Sequence, residues 1–153
     1  MPQTTGHFIS ADWEERPAGT GGERPALAHA SVTNTFSGGI RATGTTCAYA
    51  IVYVTEATGT FSGMQVLSGS LDGRAGAFAL EERGSFGADG TLRCTFEVVP
   101  GSGTGELAGL RGSGDFTTRQ GEASVPYAFT YDYDRDKDRP ATGTDPRQGQ
   151  TGR

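Results

Sequence analysis

Lysine is nearly absent from this chain of 153 residues: Lys137 is the only one, and the formal net charge is −5. A surface so poor in positive charge has no footprint for a phosphate backbone, so nucleic acid is not an expected partner. Cysteine is scarce as well. Cys47 and Cys94 form no CxxC, His7 and His29 stand apart, and there is no HExxH, so no metal site and no cofactor is expected. Both cysteines fall in predicted strands, where a buried free thiol is the first reading and a disulfide or metal pair the second. No apolar run approaches the roughly 18 to 20 residues that span a bilayer, and Met1 to Ser10 has neither a basic nor an apolar signal region. The expectation is a cytoplasmic protein with no membrane association. Catalytic signatures are missing too: there is no GxSxG elbow, and the glycine-rich run lacks the lysine that would hold a phosphate.

What is present points to strands. Glycine occupies 25 positions, and apolar residues make up 34% of the chain. The core is lean, yet a small net charge favours a folded domain over disorder. Threonine and aromatic residues recur in short bursts between glycines, a composition suited to β-structure. Period-2 segments run over Gly6 to Trp13, Leu27 to Ser37, Ile40 to Glu56, Thr60 to Leu71, Arg74 to Arg83, Thr91 to Val99, Leu110 to Arg119 and Ser124 to Tyr133. Glu14 to Ala26, with Pro17, Pro25 and several glycines, reads as a long exposed loop. Asp72-Gly73 and Asp89-Gly90 mark tight hairpins, since glycine adopts positive φ freely and aspartate tolerates it. Eight strands joined mostly by short turns predict an all-β fold, an eight-stranded antiparallel up-and-down β-barrel over residues 1–133, with a β-sandwich as the alternative. Asp134 to Arg153 holds no large apolar residue and reads as a disordered tail.

Strand parity sorts the side chains, because residues i and i+2 share a face. The bulky rows assigned to the interior are Cys47, Tyr49, Ile51 and Tyr53; Phe61, Gln65, Leu67 and Leu71; Phe78, Leu80 and Glu82; Leu92, Cys94, Phe96 and Val98; and Val125, Tyr127, Phe129 and Tyr131. An eight-stranded barrel is either filled or holds one small ligand, and the many glycines predict spare volume. Apolar walls with a few placed polar groups describe a small-molecule pocket, with Tyr49, Gln65, Phe78, Phe96, Phe129, Tyr131 and Trp13 as candidate ligand-binding residues. Glu82 is the sharpest catalytic candidate. Desolvated at the end of an apolar row and close to the phenol of Tyr53 or Tyr127, it suits general acid or base chemistry; the plainer reading puts it at the barrel mouth, paired with an arginine. Trp13 either stacks a planar ligand or plugs one end. His29 shares a face with Leu27, Ser31 and Thr33 and reads as exposed or satisfied rather than catalytic. The row Ala48, Ala50, Val52 and Val54 is apolar on the opposite parity, which predicts cover by a loop or by another subunit, and hence a homo-oligomer.

The run Gly101-Ser-Gly-Thr-Gly-Glu-Leu-Ala-Gly-Leu-Arg-Gly-Ser-Gly-Asp-Phe116, with Cys94 to Pro100 and Leu80 to Gly84 before it, resembles the bacterial domain of unknown function 3224 family from about Thr5 to Tyr133. Members of that family are similar in fold to the allene oxide cyclase barrel, and the glycine rhythm is also similar to that of dirigent proteins. The resemblance implies a barrel that binds a hydrophobic small molecule and steers a cyclisation or isomerisation by shaping it, with no cofactor. A non-catalytic carrier and a structural or partner-binding barrel stand as the alternatives.

Overall fold

Alternation of buried and exposed side chains runs through most of the eight strands, and in a computed structural model these close into a barrel. The structure describes residues 2–19 and 23–134. The strands are β1 (Gln3–Ala18), β2 (Ala26–Gly38), β3 (Ile40–Tyr53), β4 (Gly59–Leu71), β5 (Arg74–Phe86), β6 (Thr91–Val98), β7 (Leu110–Arg119) and β8 (Ser124–Tyr133). Each pairs antiparallel with the next in sequence, and β8 returns to β1. The up-and-down barrel is therefore the architecture, and the sandwich is not. The expected tail lies, apart from Asp134, outside the described residues. Among the described residues no helix is long and apolar enough to cross a membrane.

The boundary of the first strand differs from expectation. Glu14 to Ala18 continue β1 instead of opening a loop, paired with Leu27 to Ser31. Asp12, at φ 60°, forms a bulge between Ala11 and Glu14 that inserts one residue against β2. Pro17 is tolerated because β8 pairs with β1 only as far as Ile9, which leaves the other edge of β1 free there.

The two ends of the barrel are built differently. The lower end, where the Gly38-Gly39 and Asp72-Gly73 turns lie, is packed solid with Ile40, Leu67, Leu71, Leu80, Leu110 and Phe129, each at most 1% exposed. A single 3-10 turn, Gly105–Leu107, drives a fully buried Leu107 into this end as a plug. The glycine-rich run that leads into it substitutes for a missing strand. β6 pairs with β5 only from Leu80 onward, leaving the lower edge of β5 open. Ser102 Oγ, Thr104 Oγ1 and Glu106 Oε1 accept hydrogen bonds from the Ala79, Ala77 and Ala75 amides at 3.0, 3.0 and 2.8 Å. Gly103 lies between them because a β-carbon there would collide with the Leu107 carbonyl.

Glycines elsewhere do not leave the empty volume that their number predicts. The ring of Tyr49 lies over Gly63, Phe61 over Gly84, Phe96 over Gly114 and Phe129 over Gly112; a β-carbon at any of these glycines would strike the ring. Each aromatic side chain thus lies flat along the wall in a notch cut by a neighbouring strand, the arrangement in which aromatics compensate for strand glycines.

Candidate functional site

The upper half of the barrel is an open cup of about 750 Å³. Its walls are Phe8, Val32, Ile51, Phe61, Phe86, Leu92, Phe116 and Val125, and its rim carries Asp12, Trp13, Tyr53, Glu56, Arg119 and Gln120. Ser10, Asn34 and Tyr49 bring polar atoms to the lining. Such a cup, apolar with a few converging polar groups, has the size and character of a small-molecule site.

Beneath it lies a buried polar network centred on Glu82, which is 1% exposed. Register explains how the network assembles. Gly63 of β4 pairs with Tyr49 on one side and with Glu82 on the other, so the missing side chain lets the Tyr49 ring cross β4 and donate its hydroxyl to Glu82 Oε1 at 2.9 Å. Gln65 Nε2 donates to Glu82 Oε2, and the thiols of Cys47 and Cys94 lie 3.9 and 3.8 Å from the two carboxylate oxygens. Gln65 Oε1 in turn accepts from Thr45 Oγ1 at 3.0 Å and from Asn34 Nδ2 at 3.3 Å, and Asn34 Oδ1 accepts from Ser10 Oγ at 2.6 Å. Every donor in this chain points toward the carboxylate.

Burial raises the affinity of Glu82 for a proton above the ordinary carboxylate range, and the hydrogen bonds from Gln65, Tyr49, Cys94 and Cys47 act the other way. The same burial, next to the Glu82 charge, pushes Cys47 up to about 12, raises Cys94 and lifts Tyr49 well above the usual phenol value. Both cysteines are free and buried, as the first reading had it. Among the described residues no group of three or more His, Cys, Asp or Glu is arranged to hold a metal.

The expected site residues separate into three places. Tyr49, Tyr53 and Trp13 line the cup. Gln65 belongs to the network below it, while Phe78, Phe96 and Phe129 are core. Tyr131 donates to Asp72 Oδ2 at 2.6 Å at the lower end. The phenol expected beside Glu82 is neither Tyr53 nor Tyr127, and the carboxylate is not at the mouth. Tyr53 donates to Glu15 Oε2, and desolvation with that contact pushes its hydroxyl up to about 12. Tyr127 accepts from the Ile40 amide and donates to the Ser37 carbonyl, which locks the Gly38-Gly39 turn. Trp13 is about half exposed at the rim, tilted over Tyr49 with ring centroids 6.2 Å apart, and donates to Glu15 Oε1 at 3.1 Å. His29 is exposed.

Ser10, Asn34 and Thr45 were missed. Asn34 alternates with Val32 and Phe36 on the buried face of β2, so an amide flanked two residues away by apolar side chains was the available signal. Ser10 carried none. Thr45 is displaced by the irregularity between Ala42 and Cys47, which parity counting passes over.

A family profile described as "Protein of unknown function (DUF3224)" matches residues 4–131. Among solved structures, the crystal structure of a protein with unknown function from the DUF3224 family of Shewanella oneidensis MR-1 is similar, with 27% sequence identity and a TM-score of 0.69. The match covers 88% of this chain and 98% of that one. No functionally curated protein matches.

Proposed function

Since the chain belongs to the DUF3224 family, whose description names no activity, we propose from the site itself that the cup holds a hydrophobic small molecule which the protein cyclises or isomerises without a cofactor. The observation that carries this reading is the half-empty lumen: one end is filled by fully buried side chains, while the other keeps about 750 Å³ open above a satisfied polar floor. A barrel evolved only for stability has no need of a buried carboxylate, whose desolvation is costly. In the reaction, the walls fold the substrate into a reactive shape and exclude water, and Tyr49, which lines the cup and is backed by Glu82, serves as the proton donor or acceptor. A non-catalytic carrier is the second reading, favoured by the fact that Glu82 is not itself among the residues lining the cup. A second copy of the chain is proposed to cover the outer apolar face of β2, β3 and β4, and the setting is taken as cytoplasmic.

Trp13 is the only tryptophan and stands at the rim, so it reports occupancy directly. Titration with the neutral naphthalene ketone prodan is expected to quench Trp13 fluorescence saturably, and Val32→Phe, which narrows the cup, is expected to weaken the binding about tenfold or more. No saturable quenching in the wild type rejects the cup as a ligand site. Once a substrate is known, Glu82→Gln separates the readings: turnover lost with binding kept supports the enzyme.

A further inference from the structure

The hydrogen-bond chain from Ser10 to Glu82 has a direction, and that direction is reversible. With Glu82 ionised, Ser10 gives its hydrogen to Asn34, Asn34 gives one to Gln65, and Gln65 gives one to the carboxylate. Ser10, which lines the cup, then has only lone pairs left to offer a ligand. A proton on Glu82 Oε2 must be donated, and the atom facing it is the Gln65 amide. Rotation of the Gln65 and Asn34 amides by half a turn presents the Gln65 oxygen to that proton. Oxygen and NH₂ occupy nearly the same space, so the rotation disturbs no packing. Gln65 Nε2 then donates to Asn34 Oδ1 and Thr45 Oγ1, and Asn34 Nδ2 donates to Ser10 Oγ. Thr45 loses no partner, because its hydroxyl already lies 3.2 Å from the Asn34 backbone carbonyl. The Tyr49 hydroxyl keeps Oε1 as its acceptor in both arrangements. Every buried polar group of the chain is satisfied either way, and one hydrogen is released at the far end, on Ser10, pointing into the cup.

We infer that Ser10 is the residue that reads the ligand, acting as hydrogen-bond donor when Glu82 carries a proton and as acceptor when it does not, so that the protonated protein selects uncharged, apolar molecules ending in a carbonyl oxygen. This rests on the reading of the cup as a small-molecule site. Glu82 is here a positioning residue: it sets the polarity of Ser10 through two amides without touching the ligand. The other titratable groups facing Glu82 are Tyr49 and Cys47 from β3 and Cys94 from β6, and all three stay protonated because burial raises them. Asp12, Glu56 and Arg119 at the rim face the same cup.

Prodan tests the inference, because its emission shifts to the red when its ketone accepts a hydrogen bond. Bound to the wild type, it is expected to shift red in one step as the pH falls through the Glu82 titration, and to bind between about two- and tenfold more tightly on the acid side, the worth of one hydrogen bond. Ser10→Ala is expected to bind the probe with blue emission at every pH. Glu82→Gln cannot ionise and is expected to bind the probe with an emission that does not step with pH. A step that survives in Ser10→Ala or Glu82→Gln arises outside the Ser10–Glu82 chain and overturns the inference, as does a bound wild-type complex whose emission ignores pH. Absence of binding to the wild type rejects the cup reading, and the inference with it; binding without the step rejects the inference alone.

Discussion

Glu82 concentrates the energetic conflict of this barrel. Its carboxylate is buried among aromatic and aliphatic side chains, and four donors only partly offset the lost hydration. Its affinity for a proton is therefore higher folded than unfolded, where the value is about 4.5. The sign of the linkage follows: the stability contributed by the protonated side chain is fully present below about pH 4.5, and is lost as the pH rises through the folded value. Glu82→Gln cannot ionise. The wild type is thus expected to lose melting temperature relative to Glu82→Gln between pH 4 and pH 8, as followed by calorimetry; parallel curves for the two proteins would show that Glu82 titrates in the fold as it does in the unfolded chain. Gly63 is the companion residue. Only a position without a side chain lets Tyr49 cross β4 to reach Glu82.

At the scale of elements, the barrel depends on a segment that is not a strand. The run from Ser102 to Glu106 closes the lower edge of β5 with three side-chain acceptors spaced two residues apart, matching the period of the amides they meet. This gives the alternation of glycine with Ser, Thr and Glu a physical cause. Thr104→Val keeps the shape and removes the acceptor for the Ala77 amide, and is expected to cost about 1 to 2 kcal/mol in urea unfolding. Backbone amide exchange at Ala75, Ala77 and Ala79 is expected to accelerate with it. Unchanged exchange at Ala77 would mean that the amide finds another partner. The bulge at Asp12 works at the upper end in a comparable way. By inserting one residue it changes the parity of β1, so that Ser10 below it and Trp13 and Glu15 above it all serve the cup.

Among the described residues, nothing covers one outer face of the molecule. Leu27, Val52, Val54, Met64 and Val66 are between 37% and 64% exposed; Val52 pairs across to Leu27 and Ala48 to Met64, which puts apolar side chains on the outer face of β2, β3 and β4, with Val54 just past the end of β3. Patches of this kind mark interaction surfaces. Sedimentation equilibrium at micromolar concentration is expected to report a homo-oligomer, and Val52→Glu with Met64→Glu to dissociate it while leaving the cup able to bind prodan. A wild type that sediments as a monomer leaves that face in water and removes the second copy.

Strand number and order, and the inward rows of β3, β4, β5, β6 and β8, were legible from residues 6 to 133, because a period of two with Asp-Gly and Gly-Gly punctuation is a local property of the chain. The inward parity of Glu82 was legible for the same reason, since it continues the row of Phe78 and Leu80, but parity left its depth open between the interior and the mouth. Its partners were not. Which phenol reaches a carboxylate depends on the stagger between strands, which the irregularity near Gly44 and the bulge at Asp12 change, and on the space that Gly63 leaves for the Tyr49 ring; none of these leaves a mark in alternation. Whether the glycines open the lumen or receive rings was likewise decided across strands. Sequence alone determined that this chain forms a β-barrel with a carboxylate turned inward. The tertiary structure decided that the tube is stoppered at one end by Leu107 and hollow at the other, because filling is a sum over all eight strands while parity is a property of each one.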